Sequence, residues 1–331
     1  MAAGQHQALK VVDLHAMTEP VLPDVDRLHA ALMGSSVNIG LLLLYDRWTI
    51  MILRSAFLGV RHFDKFQKSL EVPKQTLSLR LKELIKSGIL RAQPQISVSS
   101  RLQYRLTKKG LALYPMLLMS WVWQRRWGPG VMPLPRRLIH KTCGTRFVPK
   151  CFCAECQHEA GLRRIEFIAS QPKKALPPVR RARRLTDIKA GAVGAAQDKQ
   201  RLALGLAIDR WSILIISAVI LGCHQFDQLQ KVLGLGPSLL ADRLAKLCEC
   251  GLLLRQPDLH DGRRFVYLLS PPSEDLFPLI TTLGRWVSEH HSKASSSILL
   301  RHRDCGHPFR ADVVCNQCRQ VLRPQDVQFE F

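Results

Sequence analysis

Acidic residues are the scarce class in this chain. Its 331 residues carry 26 Asp+Glu against 48 Lys+Arg, a formal net charge of +22. A balance that far from neutral points to a polyanionic partner, nucleic acid or an anionic membrane surface, unless the excess is spread over a solvated face. A long apolar run is missing as well. Ala31–Tyr45 and Trp211–Phe226 are 15 and 16 residues without formal charge, closed at once by Asp46 and Asp227. Both fall short of the ~20 residues that span a hydrocarbon core, so no membrane contact is expected. The opening Met-Ala-Ala-Gly-Gln-His-Gln lacks the basic-then-apolar pattern of a secretory signal. A cytoplasmic protein is therefore expected, and its ten cysteines read as metal ligands and buried thiols rather than disulfides.

Catalytic signatures are lacking too. No Gly-rich phosphate loop follows a strand pattern, and no nucleophile elbow occurs. A zinc deaminase needs His-x-Glu with Pro-Cys-x2-Cys, and neither cysteine pair has that setting. No enzyme is expected. With 47% apolar residues the chain folds, and its length suits about two domains.

What the chain does have is an internal repeat. Asp46-Arg47-Trp48 recurs as Asp209-Arg210-Trp211 at an offset of 163. In the same register Phe63-Asp64 matches Phe226-Asp227, Arg80-Leu81 matches Arg243-Leu244, and Gly88 matches Gly251. Tyr104 matches Tyr267 and Trp123 matches Trp286, so one gapless register runs for nearly the length of a domain. Between the copies, Gln171–Gly191 holds three prolines and seven basic residues against one acid. It reads as an extended tether, and Arg180-Arg181-Ala182-Arg183-Arg184 within it could also lie along phosphates.

Each copy follows one pattern. An apolar segment from Ile39 to Leu53 reads as a buried helix broken by the Asp-Arg pair. Phe63, Phe66 and Leu70 then mark one face of a short amphipathic helix. A second short helix runs from Pro73 to Lys86 and stops at Ser87-Gly88. Two short helices with a tight turn make a helix-turn-helix. Ile89-Leu90-Arg91, a polar stretch, and the alternation Leu102, Tyr104, Leu106 predict a two-stranded wing, and a further helix covers Met116–Trp127.

Asp-Arg-Trp followed by Ile-Leu, Gly-x3-Phe-Asp, Arg-Leu-x2-Leu-x3-Gly and Tyr-x-Leu-[Thr/Ser], in this order in both copies, resemble the HxlR-type winged helix-turn-helix transcription regulators of bacteria. That resemblance implies DNA binding and, since such proteins are usually single-domain homodimers, makes a tandem chain a departure. It also implies regulation of transcription, more often by repression. Some members sense oxidants through a cysteine before the Trp-containing helix. The matching places here are Ser35 and Asp198, so that mechanism does not carry over.

The second helix of such a motif enters the major groove. In copy one its candidate contacts are Lys74, Gln75, Thr76, Ser78 and Arg80, with Arg101 and Arg105 on the wing. Copy two offers Ser238 and Arg243, with Arg263 and Arg264 on its wing. Gln pairs well with adenine and Arg or Lys with guanine, while the wing arginines suit phosphates. Pro237-Ser238-Leu239 replaces Lys74-Gln75-Thr76, so copy two has lost most of its polar reading set. Arg80 and Arg243 have a plainer reading, pairing with a neighbouring carboxylate such as Asp46.

Behind each winged unit lies the same cysteine pattern. His140-x2-Cys143, nine residues and Cys153-x2-Cys156 recur as His302-x2-Cys305, nine residues and Cys315-x2-Cys318. Each set suits a closed, structural Cys3His zinc site, which gives up to two zinc ions in two hairpins. Cys151 stands as an alternative to Cys153, and His158 and His307 as alternatives to the assigned histidines. Reduced hairpins without metal are the competing state. Cys223, Cys248 and Cys250 read as core thiols within apolar helices. Trp121, Trp123 and Trp127 with Met116 and Met119 read either as core and dimer packing or as an effector pocket between the copies.

The expected architecture is mainly α with small β-wings (α+β). It comprises an N-terminal arm (1–27), winged domain 1 (28–130), zinc-ribbon-like hairpin 1 (131–170), a basic linker (171–193), winged domain 2 (194–293) and hairpin 2 (294–331). The expected function is a sequence-specific regulator binding double-stranded DNA, as an intramolecular pseudo-dimer or a homo-oligomer, with a small-molecule effector as a further partner. Two alternatives stand beside it: an architectural protein binding DNA without sequence choice, and a winged-helix module that pairs with another protein.

Overall fold

The computed structural model describes residues 25–44, 46–95, 98–128, 134–169, 209–259, 261–291 and 298–331. Most of the N-terminal arm, the basic linker with Arg180–Arg184, and the place of Asp198 lie outside them, as does the side chain of Arg101.

Copy one begins with α1 (Val25–Met33) and α2 (Ser36–Leu44). The apolar segment expected as one broken helix is two, because Asp46 caps a new one, α3 (Arg47–Phe57), by accepting the N–H groups of Trp48 and Thr49. The pair α4 (Phe63–Leu70) and α5 (Lys74–Lys86) follows as the helix-turn-helix. Phe66 plugs its centre, and Leu77, Leu81 and Leu84 bury the inner face of α5. The wing is β1 (Leu90–Gln95) paired antiparallel with β2 (Val98–Leu106). Thr107 caps α6 (Lys108–Leu111), and α7 (Tyr114–Trp127) closes the unit.

A tail of short strands comes next: β3 (Arg137–His140), β4 (Thr145–Phe147), β5 (Pro149–Cys153) and β6 (Ile165–Ala169). Copy two repeats the order with α8 (Arg210–Ile220), α9 (Phe226–Leu233), α10 (Pro237–Glu249), β7 (Leu253–Pro257), β8 (Phe265–Leu269), α11 (Pro271–Glu274) and α12 (Phe277–His290). Its tail is β9 (Ile298–His302), β10 (Ala311–Cys315) and β11 (Val327–Glu330). No single described helix is long and apolar enough to cross a membrane.

The copies pack as a pseudo-two-fold pair. α1 lies on α9, α2 on α12, and α7 on α12. The α2–α12 approach is close because residue 40 is glycine: a Cβ there would sit 2.7 Å from Leu283. Two hydrogen bonds mark the symmetry. Trp123 donates its indole N–H to the Pro272 carbonyl at 2.8 Å, and Trp286 donates to that of Lys109 at 2.9 Å. Both donors and both acceptors are related by the 163-residue offset. Such reciprocity defines an isologous interface, here within one chain. Replacing both indoles, Trp123→Phe with Trp286→Phe, is expected to lower unfolding free energy by about 1–3 kcal/mol, read by denaturant titration.

The tails depart from the expected hairpins. Among the described strands only β3 and β4 pair within one tail, beside isolated bridges at Phe152–Glu159, Arg301–Pro308 and Val314–Val321. β5 pairs antiparallel with β10, β3 with β11, and β6 with β9, all across the copies. Extended segments with too little apolar surface to stand alone gain a sheet partner and a core by exchanging strands. Leu138, Phe147, Val313 and Leu322 are buried in the result.

Candidate nucleic-acid interface and metal centres

α5 starts after Pro73, whose fixed φ of −57° leads into the helix. Its stripe of leucines faces inward, which leaves Lys74, Gln75, Leu79 and Lys82 exposed and Thr76 and Ser78 half-buried. Among the described residues Lys74 and Lys82 have no ion pair. Arg80 does: its Nε lies 3.3 Å from Asp46 and its Nη1 2.7 Å from Glu83. Copy two repeats this lock, with Arg243 Nη1 3.4 Å from Asp209. Each arginine thus ties its recognition helix to the aspartate that caps the core helix (α3 or α8). Asp46→Ala removes a cap and the tie from Arg80 to α3, leaving Arg80 paired with Glu83 alone, so stability should fall by about 1–3 kcal/mol in thermal or denaturant unfolding.

The two recognition helices differ electrically. α5 has four basic side chains against one acid, whereas α10 has two of each. Both basic side chains of α10 are engaged, Arg243 by Asp209 and Lys246 by Asp242 at 2.8 Å. Ser238 is exposed beside exposed Pro237 and Leu239.

The wing of copy one holds a feature that the sequence reading missed. Arg91 and Arg105 stand directly opposite in the β1–β2 register and share a face. Like charges so placed repel unless an anion sits over them. Arg105 also donates to Gln103 at 2.9 and 3.1 Å. Arg61 is next to it, its pKa lowered by burial and by the Arg105 charge. In copy two the matching cross-strand pair is Leu254 and Leu268. Its basic residues gather at the turn instead, where Arg263 is exposed and Arg264 lies 3.2 Å from Asp261. Strand register was the missing signal, because Arg91 and Arg105 are far apart in sequence.

All eight expected metal ligands converge, but not hairpin by hairpin. One tetrad is His140, Cys143, Cys315 and Cys318; the other is Cys153, Cys156, His302 and Cys305. Each takes its His-x2-Cys half from one tail and its Cys-x2-Cys half from the other. The cause is the β5–β10 pairing, which swaps the second half of each tail onto the opposite copy. The expected grouping, His140 with Cys153 and His302 with Cys315, is therefore corrected.

Donor spacing fits a tetrahedral ion. His140 Nδ1 lies 3.4 Å from Cys143 Sγ and 3.2 Å from Cys318 Sγ. His302 Nδ1 lies 3.3 and 3.5 Å from Cys156 and Cys305, and the Cys153–Cys305 sulfurs are 4.0 Å apart. Metal–nitrogen and metal–sulfur bonds of zinc length at tetrahedral angles require about 3.6 Å for N···S and about 3.8 Å for S···S. Both histidines are buried. Gly144 and Gly306 take φ of +68° and +72° behind the first cysteine of each knuckle, a turn that favours glycine. The Thr145 hydroxyl and backbone amide hold the Cys143 thiol down to about 6.

The alternatives fall outside both tetrads. Cys151 is buried, and burial with nearby Asp312 pushes its thiol up to about 12. His158 and His307 are exposed, and their carbonyls accept from Cys153 and His302. Cys223 is buried just after α8 rather than within it, and Cys250 follows the end of α10.

These features define a class: a tandem winged helix-turn-helix protein whose two copies are bound by exchanged tails and two shared Cys3His tetrads. The HxlR-like helix-turn-helix family matches residues 43–131 and again 206–295. The chain belongs to the HxlR-like helix-turn-helix family, twice over, and that is a family of regulators rather than enzymes. An uncharacterized HTH-type transcriptional regulator of Mycobacterium tuberculosis is 36% identical over 132 residues, which is 40% of this chain and 84% of the relative. One from Bacillus subtilis is 31% identical over 86 residues, 26% of this chain and 80% of the relative. Both relatives are thus about one copy long.

Proposed function

We propose that this chain is a sequence-specific DNA-binding transcription regulator whose internal pseudo-dimer lies along one duplex, with α5 of copy one in the major groove. What supports this most is the Lys74–Gln75 edge at the start of α5, exposed and without an ion pair among the described residues, the part of a recognition helix that meets base edges. Gln75 reads adenine, Lys74 guanine, and Thr76, Ser78 and Leu79 line the same entry. Arg80 and Arg243 act by holding their helices and approach phosphate from there. Arg91, Arg101 and Arg105 bind the backbone beside copy one, and Arg263 and Arg264 do so beside copy two, with Ser238 as the remaining polar group at the start of α10. The regulatory sign is repression, since a pseudo-dimer spread over a promoter blocks polymerase. Zinc fills both tetrads as a structural ion, a closed shell leaving no position for water.

Selection of genomic fragments by the full-length protein, then binding across a salt series, tests this. A defined site held at least about 10³-fold more tightly than random duplex is expected. Gln75→Ala should weaken that site by about 1–3 kcal/mol and leave random duplex unchanged. Equal binding to all fragments, collapsing with salt whatever stands at residue 75, would leave the architectural reading instead.

A further inference from the structure

A cleft of about 930 Å³ opens between α7, the tail of copy one, α11 of copy two and the Asn316–Gln317 knuckle. We propose that it binds a small organic anion with an aromatic body, and that it exists on one side of the pseudo-dimer only. The proposal rests on the regulator reading for its meaning as an effector site, not for its chemistry.

The floor is apolar: Met119, Trp123 and Phe147 are buried and Trp121 is half-buried above them. Eight basic and three acidic side chains line the rest. Five of the cations are engaged. Arg126 meets Asp275 at 2.9 Å, Arg163 meets Glu274 at 3.3 Å and Lys150 meets Glu159 at 2.7 Å. Arg146 and Arg164 reach Glu330 and Asp304, which lie outside the lining. Arg125 and Arg136 have no ion pair among the described residues. Arg137 faces Glu330 across the β3–β11 ladder, where the carboxylate is taken by Arg146. An aromatic floor beside exposed guanidinium groups that have no carboxylate partner among the described residues, within the size range of ligand sites, suits a ring that carries a carboxylate, sulfonate or phosphate.

The duplication supplies an internal control. Copy two keeps Trp286, Phe309, His302 and the three ligand cysteines of its tail, but the cleft floor thins, since Met119 becomes Thr282 and Trp121 becomes Gly284. Yet at the matched positions Arg125 becomes Ser288, Arg126 Glu289, Arg136 Ile298 and Arg137 Leu299. Further on, Arg146 becomes Pro308, Lys150 Asp312, Arg163 Gln325 and Arg164 Asp326. Every cation of the cleft is lost, three of them to acids. Charge needed only for solubility or for coating DNA would have no reason to concentrate on one copy, whereas an anion site needs to be built once. The cleft also spans the copies: Trp123 of its α7 wall donates to the Pro272 carbonyl, and Arg126 pairs with Asp275, both of copy two. An occupant therefore bears on the angle between the two winged units.

The probe is 8-anilinonaphthalene-1-sulfonate added to the full-length metal-loaded protein, read by its fluorescence and by quenching of tryptophan. One dominant site is expected, weakened about tenfold or more by Arg125→Glu with Arg136→Glu, the loss of two charge-assisted contacts. Arg27→Glu, alone and combined with Lys231→Glu to match the two reversed charges at exposed positions of α1 and α9, should stay within about twofold. Equal weakening by Arg27→Glu, or none by the cleft pair, overturns the proposal. So does displacement of the dye by a short random DNA duplex, which would make the cleft a nucleic-acid surface. DNA affinity without dye separates the two readings. The cleft pair should leave it unchanged, and Gln75→Ala should leave the dye unchanged.

Discussion

Protein carrying Cys143→Ser together with Cys318→Ser should retain about one metal ion per chain, while Cys143→Ser with Cys153→Ser should retain none. Atomic emission on purified protein, with circular dichroism to show that the winged units remain folded, decides the matter. The logic is combinatorial. Cys143 and Cys318 share a tetrad, so the first pair spoils one site; Cys143 and Cys153 lie in different tetrads, so the second spoils both. Self-contained hairpins would give the opposite result for each pair, because there Cys143 would share a site with Cys153. Energetics make the effect large. Binding to a structural Cys/His site is worth about 10 kcal/mol or more, and that energy is folding energy for whatever the ligands connect. Here it connects the two copies, so chelation should loosen the pseudo-dimer as well as the tails. A single cut in the linker followed by chelator should release the halves, and without chelator they should stay together.

The winged units were legible in sequence because their physics is local. Leucine spacing, Pro73 and Gly88 set α5 within a residue, and the alternation of Leu102, Tyr104 and Leu106 marked the second half of β2, whose start at Val98 lies in the stretch read as a polar loop. Asp46 was visible as a polar break, but only backbone geometry shows it as the cap that starts α3. The metal ligands were legible by residue type and spacing, yet their grouping was not. Two tails of equal spacing can close on themselves or on each other with the same ligands, and the choice lies in the non-local β5–β10 pairing. Arg91 with Arg105, and the one-sided cleft, were hidden for the same reason. Each depends on which strands or copies meet, which periodicity within one segment does not carry.

The preferred DNA site should be lopsided, with one strongly read half beside α5 and a weakly read half beside α10. Base substitutions in the first half should cost about 1–3 kcal/mol each, and those in the second much less. Asymmetry follows from the helices themselves. α5 presents exposed Lys74 and Gln75, which can pair bidentately with bases, while α10 presents proline, serine and leucine, with both of its basic side chains held by carboxylates. A backbone reading at copy two leaves salt dependence without specificity. Loss of Arg91 or Arg105 should weaken all duplexes alike and reduce the salt slope by about one unit, whereas Gln75→Ala acts on the chosen site alone. The converse variant is more telling. Pro237→Lys, Ser238→Gln and Leu239→Thr together give α10 the start of α5 on a scaffold whose Arg243–Asp209 lock is already in place. With the pseudo-two-fold axis unchanged, that variant should now select an inverted repeat of the strong half-site, since symmetric readers require symmetric DNA. Unchanged selection by the triple variant, with folding intact, would mean that α10 does not enter the groove and that copy two serves as scaffold alone.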